Sequence, residues 1–97
     1  MSVYMIVEVE ITDGAAYAEY MEKVPATVGR FGGRYLVRGG MVTPLGGGWE
    51  PERVVVVEFP SAEEMGRWAS SPEYQAIAPL RTNSTKTRAI LLEGAEE

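Results

Sequence analysis

The sequence contains no histidine and no cysteine. Those two absences remove the commonest general base, the thiol nucleophile and the ordinary ligands of zinc, copper and haem. Without cysteine there is also no disulfide framework, which leaves the redox compartment open. No apolar run approaches the roughly 20 residues that span a bilayer. The start, "MSVYMIVEVE", lacks the basic stretch and small-residue cleavage site of a signal peptide. Cytoplasm is the expected location, with no membrane partner. Positive charge is scarce as well: nine Lys and Arg stand against fourteen Asp and Glu, a net charge of −5. The basic residues are scattered singly, whereas nucleic acid and anionic lipid need clustered positive charge. No nucleic-acid partner is expected. Chemistry is left to carboxylates, tyrosines, arginines and backbone amides, so the expected metal and cofactor content is none, although an oxygen-only magnesium or calcium site is compatible with this composition.

What is present describes one small domain spanning 1–97. Residues 2–11, "SVYMIVEVEI", are nearly continuously apolar up to Glu8 and read as a strand covered on both faces. Thr12-Asp13 offers an N-cap. Tyr17, Tyr20, Met21, Val24, Val28 and Phe31 then recur at helical spacing. Pro25 falls inside that pattern and is expected to kink it or end its first half. Gly32-Gly33 suits the positive φ of a helix C-cap.

The segment "FGGRYLVRGG" (31–40) holds four of the eleven glycines. A dinucleotide loop must leave a strand and enter a helix, and this one does the reverse. An RGG box belongs in repeats on basic disordered tails. The pairs therefore bracket a strand over 34–38, with Gly39-Gly40 letting the chain leave it. Residues 41–52 form a Pro- and Gly-rich loop, readable as a wide hairpin. Residues 53–59, "RVVVVEF", are the most β-prone stretch. Ser61 with Glu64 is a capping box opening a second helix. Ser71-Pro72 starts a further short helical piece, with Pro79 expected to end it. Residues 87–93, "TRAILLE", are the last strand, and "GAEE" an acidic frayed tail.

The order is βαββαβ, the α+β ferredoxin-like arrangement of a four-stranded antiparallel sheet with two helices on one face. Yet "YMIV", "VVVV" and "AILL" carry little polar alternation. A second copy is the simplest cover for the other sheet face, so a homodimer is expected.

At "AEYMEKVPATVGRFGGRYLVRGG", "PERVVVVEFPSAEEMGRWASSPEYQAIAPLR" and the closing "LLEG", the chain resembles the domain-of-unknown-function family numbered 1330. That resemblance implies a dimeric α/β barrel, in a superfamily that includes cofactor-independent monooxygenases, muconolactone-type isomerases and haem enzymes; the family itself implies no settled activity. Two departures stand out. Trp68-Ala69 occupies a place where the family often has Trp-Tyr, and "LGGGW" lacks an acidic residue often found there.

Arg38 and Glu58 stand near the ends of apolar strands, where a charge is costly without a partner. By alternation Arg38 shares a face with Leu36, and Glu58 one with Val54 and Val56. An ion pair or backbone contacts at the dimer seam is one reading. The other makes Arg38 a clamp for a carboxylate or enolate oxygen and Glu58 a base with a pKa raised by burial. Trp68, Tyr74 and Arg81 cluster on and after the second helix. Each has a plain reading, as core packing or a solvent-facing charge, and a ligand-binding one. Glu8 and Glu10 are placed to pair with Lys86 or Arg88 across strands. Candidate catalytic residues are therefore Arg38 and Glu58, and candidate ligand-binding residues Arg38, Trp68, Tyr74 and Arg81. Two functions compete. One is a small-molecule protein for an anionic or aromatic metabolite, such as a metal-free isomerase or cofactor-independent oxygenase. The other is a non-catalytic dimeric binding or scaffold module. A cleft open between sheet and helices, with Arg38 at its wall, favours an enzyme or a small-molecule binding module; a cleft filled by Trp68 and Met65 favours a scaffold.

Overall fold

A computed structural model describes residues 1–95. The elements run β1 (Val3–Ile11), α1 (Gly14–Arg30), β2 (Arg34–Arg38), β3 (Arg53–Phe59), α2 (Ala62–Ser70), α3 (Pro72–Thr82) and β4 (Thr85–Glu93). The four strands form one antiparallel sheet in the order β2-β3-β1-β4. This is the ferredoxin-like arrangement, with the second helical crossover split into α2 and α3. The loop between β2 and β3 joins two neighbouring antiparallel strands, as a wide hairpin does.

Local chemistry explains the boundaries. Asp13 caps α1 by accepting from the Ala16 amide at 3.3 Å. Ser61 accepts from the Glu64 amide at 3.1 Å, which is half of a capping box; the Glu64 carboxylate turns instead to Arg67. Ser71 caps α3 through the Tyr74 amide at 3.1 Å, ahead of Pro72 in its first turn. Gly32 ends α1 at φ +78°, and Gly39 leaves β2 at φ +76°, conformations that a Cβ disfavours. Of the closing "GAEE", Gly94 donates to the Ser2 carbonyl at 2.9 Å, so the chain is tied down there. Glu96 and Glu97 of the expected tail lie outside the described residues.

Neither internal proline stops its helix. Pro25 sits within α1, which runs unbroken to Arg30. Pro79 sits within α3, which continues to Thr82, with the Asn83 amide donating to the Pro79 carbonyl at 2.9 Å. A proline removes one donor, to the carbonyl four residues back. For Pro79 that carbonyl belongs to exposed Gln75. For Pro25 it belongs to Met21, and a side chain takes the missing role, as described below.

The core lies between the sheet and the helices. Val3, Val9, Val55, Val57 and Phe59 face it from the strands; Tyr17, Tyr20, Val24, Val28, Trp68 and Tyr74 face it from the helices. The opposite sheet face carries an apolar central row, Val37, Val56, Ile6 and Ile90, in register across all four strands. Ile90 is 58% exposed and Leu92 is 47% exposed on the last strand. Charged pairs flank this row: Arg88 to Glu8 at 2.7 Å and Arg34 to Glu58 at 2.6 Å, with Lys86 to Glu10 at 3.9 Å further out. Both cross-strand pairs expected for Glu8 and Glu10 form. Among the described residues, no helix is long and apolar enough to cross a membrane.

Candidate functional site

A cavity of about 250 Å3 opens between the helix-facing side of the sheet and the three helices. Its sheet wall comes from alternate residues such as Met5, Val7, Val55 and Val57, and its helix wall from Met21, Val24, Met65 and Trp68. An apolar cavity of about 150 Å3 is large enough to take up benzene, so the space suits a substituted ring. Three methionines in the wall, Met5, Met21 and Met65, give it an adaptable shape. Ala69 also lines it, and the small side chain leaves room that a tyrosine at this position would fill. Trp68 packs its ring 4.1 Å from that of Tyr74 and 5.4 Å from that of Phe59, centroid to centroid. Its indole N–H donates to Thr27 Oγ1 at 3.0 Å, which fixes the ring as part of the wall. Trp68 and Met65 therefore line the cavity without closing it.

The polar groups gather at one end. Arg81, on the last turn of α3, donates through Nε to the Tyr74 hydroxyl at 3.3 Å and through Nη1 to Thr87 Oγ1 at 2.8 Å. The Tyr74 and Tyr20 hydroxyls are 3.0 Å apart and share a hydrogen bond. Burial, reinforced by Tyr74, pushes the Tyr20 pKa up from its ordinary value. Burial likewise pushes Tyr35, on the cavity's β2 side, up to about 12. Both hydroxyls thus stay protonated through the neutral range. Arg81 is the single charged residue among those lining the cavity, and no carboxylate or side-chain amide joins it there.

Trp68, Tyr74 and Arg81, singled out from sequence, all lie on this wall. Arg38 and Glu58 do not. A bulge between Tyr35 and Val37 shifts the alternation of β2, so Val37 pairs with Val56 and Arg38 with Val55. Arg38 consequently stands on the helix-facing side with Tyr35, and not with Leu36 as plain alternation predicts. Its guanidinium carbon sits 5.0 Å from the Tyr35 ring centroid, and Nη2 donates to the Met21 carbonyl. Glu58 is on the other sheet face, bonded to Arg34 at 2.6 Å. The expected Arg38–Glu58 ion pair is therefore absent. The expected upward shift of Glu58 is reversed too: hydrogen bonds from Arg34 and then Tyr4 hold its carboxyl below the ordinary value.

The site residues that sequence reasoning placed only in the core are Tyr17 and Tyr20. Arg53 donates through Nε to the Tyr17 hydroxyl at 3.1 Å and through Nη2 to the Arg38 carbonyl at 3.3 Å, tying α1 to the end of β2. The available signal was chemical: a core stripe built with tyrosine carries hydroxyls that need partners when buried. A second hollow of about 380 Å3 lies beside Glu8, Glu10, Glu50 and Glu52 with Lys86 and Arg88. Its strand-borne charges are already paired across β1 and β4, and no group of three or more among the described residues is placed to hold a metal ion.

The sequence matches the family described as Domain of unknown function (DUF1330) over residues 2–95. The chain belongs to that family. Among curated proteins none matches it. In fold, this DUF1330 chain is similar to a protein of unknown function from Rhodopseudomonas palustris, with a TM-score of 0.82 at 19% identity, covering 99% of this chain and 84% of that one. It is similar to a dimeric ferredoxin-like protein of unknown function from Jannaschia sp. CCS1, with a TM-score of 0.73 at 15% identity over 97% of this chain and 100% of that one. It is also similar to SnoaB, a cofactor-independent oxygenase from Streptomyces nogalater, with a TM-score of 0.65 at 12% identity over 99% of this chain and 95% of that one. At these identities the likeness is one of fold.

Proposed function

We propose that this DUF1330 chain is a cytoplasmic homodimer whose sheet–helix cavity binds a small aromatic or anionic metabolite, one molecule per chain. The observation that carries this reading is the cavity itself: apolar walls enclosing about 250 Å3, with Arg81 as the single charge among its lining residues. Sites for small molecules have this character, mostly apolar with few polar groups that fix orientation. A core packed for stability alone would leave less space, because each void forfeits contacts at its lining. The dimer is supported by the apolar face opposite the helices and by the dimeric state of the Jannaschia protein. Likeness to SnoaB favours a further reading, that the bound molecule undergoes chemistry without metal or haem, which agrees with a sequence holding no histidine or cysteine.

The test is a thermal-shift series with small phenols, aromatic acids and apolar rings on the wild type and on Ala69→Trp. The larger side chain fills the cavity from α2. Binding compounds should raise the wild-type Tm and leave that of the filled variant unmoved. If none of the compounds shifts the wild type, the cavity is not a ligand site and the scaffold reading replaces this one.

A further inference from the structure

We propose that the polar end of the cavity is a donor-only site for a single oxyanion, a phenolate or enolate oxygen conjugated to the apolar body of the ligand, held by Arg81 and the Tyr20–Tyr74 hydroxyl pair. The assignment rests on the cavity being a ligand site and goes on to say which atom of the ligand it reads.

Arginine has only donors, so the Tyr74 oxygen accepts from Arg81 Nε. The two hydroxyls hold two protons between them, and their mutual bond uses one. Whichever way that bond runs, one O–H remains, and among the described residues neither hydroxyl meets a further acceptor. Both residues line the cavity, so the remaining proton is offered to whatever occupies it. Arg81 adds its own charge and its remaining N–H groups beside that hydroxyl. The charged and titratable groups around this end are Tyr17 and Tyr20 from α1, Tyr35 from β2, and Tyr74 and Arg81 from α3; Arg53 from β3 stands behind Tyr17 and Arg38 from β2 over Tyr35. None of them is a carboxylic acid, and no carboxylate is among the lining residues.

Among the described residues, such an end has donors in excess and a positive charge without a carboxylate partner, in surroundings where charge interactions are strong. A ligand that brings its own N–H or ammonium group finds no acceptor. One that brings a negative oxygen satisfies both donors at once, as an oxyanion hole does. The form of the anion follows from how Arg81 is used. Its Nε is taken by Tyr74, which closes the side-on Nε–Nη2 edge by which arginine grips two carboxylate oxygens, and one Nη1 proton is taken by Thr87. A hydroxyl and a guanidinium N–H converging from two side chains suit one oxygen better than two. For a phenol, the step is an acid dissociation: the O–H bond breaks, its electron pair stays on the bound oxygen, and the proton leaves to bulk water.

The experiment uses 4-nitrophenol, whose phenolate absorbs in the visible, titrated into the full-length protein across pH, with 4-nitrobenzoate as the two-oxygen control. The wild type should bind phenolate at least tenfold more tightly than phenol, lowering the apparent pKa of the bound probe by a unit or more. Arg81→Met, which keeps the stem, should abolish that preference while neutral phenol still binds at low pH. Replacing both hydroxyls, Tyr20→Phe together with Tyr74→Phe, which keeps the rings, should reduce it several-fold in a protein of unchanged circular dichroism. Equal affinity of the wild type for both forms overturns the assignment, and so does an unchanged preference in Arg81→Met, or nitrobenzoate binding more tightly than the phenolate. Those outcomes leave the cavity as a ligand site. Failure of the wild type to bind any of the three probes overturns the cavity reading and this assignment together.

Discussion

The Arg38 guanidinium donates to the Met21 carbonyl, the one helical acceptor that Pro25 leaves without its backbone donor. Two features that look like unrelated irregularities in the sequence, a proline inside a helix and an arginine at the end of an apolar strand, are halves of one contact. The bulge in β2 turns Arg38 toward α1, and stacking over Tyr35 at 5.0 Å holds it there. The contact satisfies the carbonyl that Pro25 leaves free, in a helix that runs unbroken to Arg30.

A double-mutant cycle tests this relationship. Arg38→Met should cost about 1 kcal/mol, the net size of a typical hydrogen bond, because the arginine is exposed. In a Pro25→Ala background the new amide can donate to Met21, so the same change should cost clearly less. Denaturant unfolding of the four proteins measures the difference. An equal cost of Arg38→Met in both backgrounds would show that the arginine does not stand in for the missing amide.

Thr27 carries a second buried contact across elements. Its hydroxyl donates to the Val24 carbonyl at 2.7 Å and accepts from the Trp68 indole at 3.0 Å, joining α1 to α2 at the cavity wall. Thr27→Val keeps the shape and strands the indole N–H in the core. The expected loss is about 1–3 kcal/mol, the cost of an unsatisfied buried donor. Thr27→Ser should recover most of it. If the valine variant is as stable as the wild type, the indole has another acceptor.

Alkaline pH should unfold the protein through its buried tyrosines. Burial raises Tyr35 from the ordinary 10.0 to about 12 in the folded chain. A tyrosine is neutral when protonated, so a raised folded pKa means that the unfolded state loses its proton first as pH rises. Stability from this group is complete below about pH 10 and is lost between about pH 10 and pH 12, where the folded hydroxyl titrates in turn. Melting temperature against pH should fall over that window, and Tyr35→Phe should reduce the slope. An identical slope in the variant would contradict the assignment.

The strands, caps and glycine turns were legible because each has a local cause: apolar β-branched runs, Ser or Asp ahead of a helix, glycine where φ is positive. Strands β2 and β3 lie where their runs of residues end. Trp68, Tyr74 and Arg81 were legible as a group because α2 and α3 are adjacent in sequence as well as in space. Arg38 was not, since its direction depends on the β2 bulge, which comes from pairing with β3 and leaves no mark in "RYLVR" itself. Glu58 was misjudged for a related reason. Its environment is decided by Arg34, its partner across the β2–β3 ladder. Tyr20 reads as a core residue and is one; that its hydroxyl meets Tyr74, 54 positions away, is a fact of tertiary structure.

The sheet face away from the helices bears on assembly. Val37, Val56, Ile6 and Ile90 cross it as one apolar row with no helix above them. Flanking pairs such as Arg88–Glu8 keep their charges on the same face, a pattern of apolar centre and polar rim found at protein interfaces. A stable pairing buries about 800 Å2 per partner, and a four-stranded sheet face is of that order. Ile90 is the residue to change, because at 58% exposure within one chain its replacement disturbs that chain's own packing little. Ile90→Lys should convert a dimeric wild type into a monomer with unaltered far-UV circular dichroism, since a lone ammonium in a dry seam is costly. Sedimentation velocity at micromolar concentration reads the result. A wild type that sediments as a folded monomer, or an Ile90→Lys protein that stays dimeric, would mean that this face is not where two copies meet.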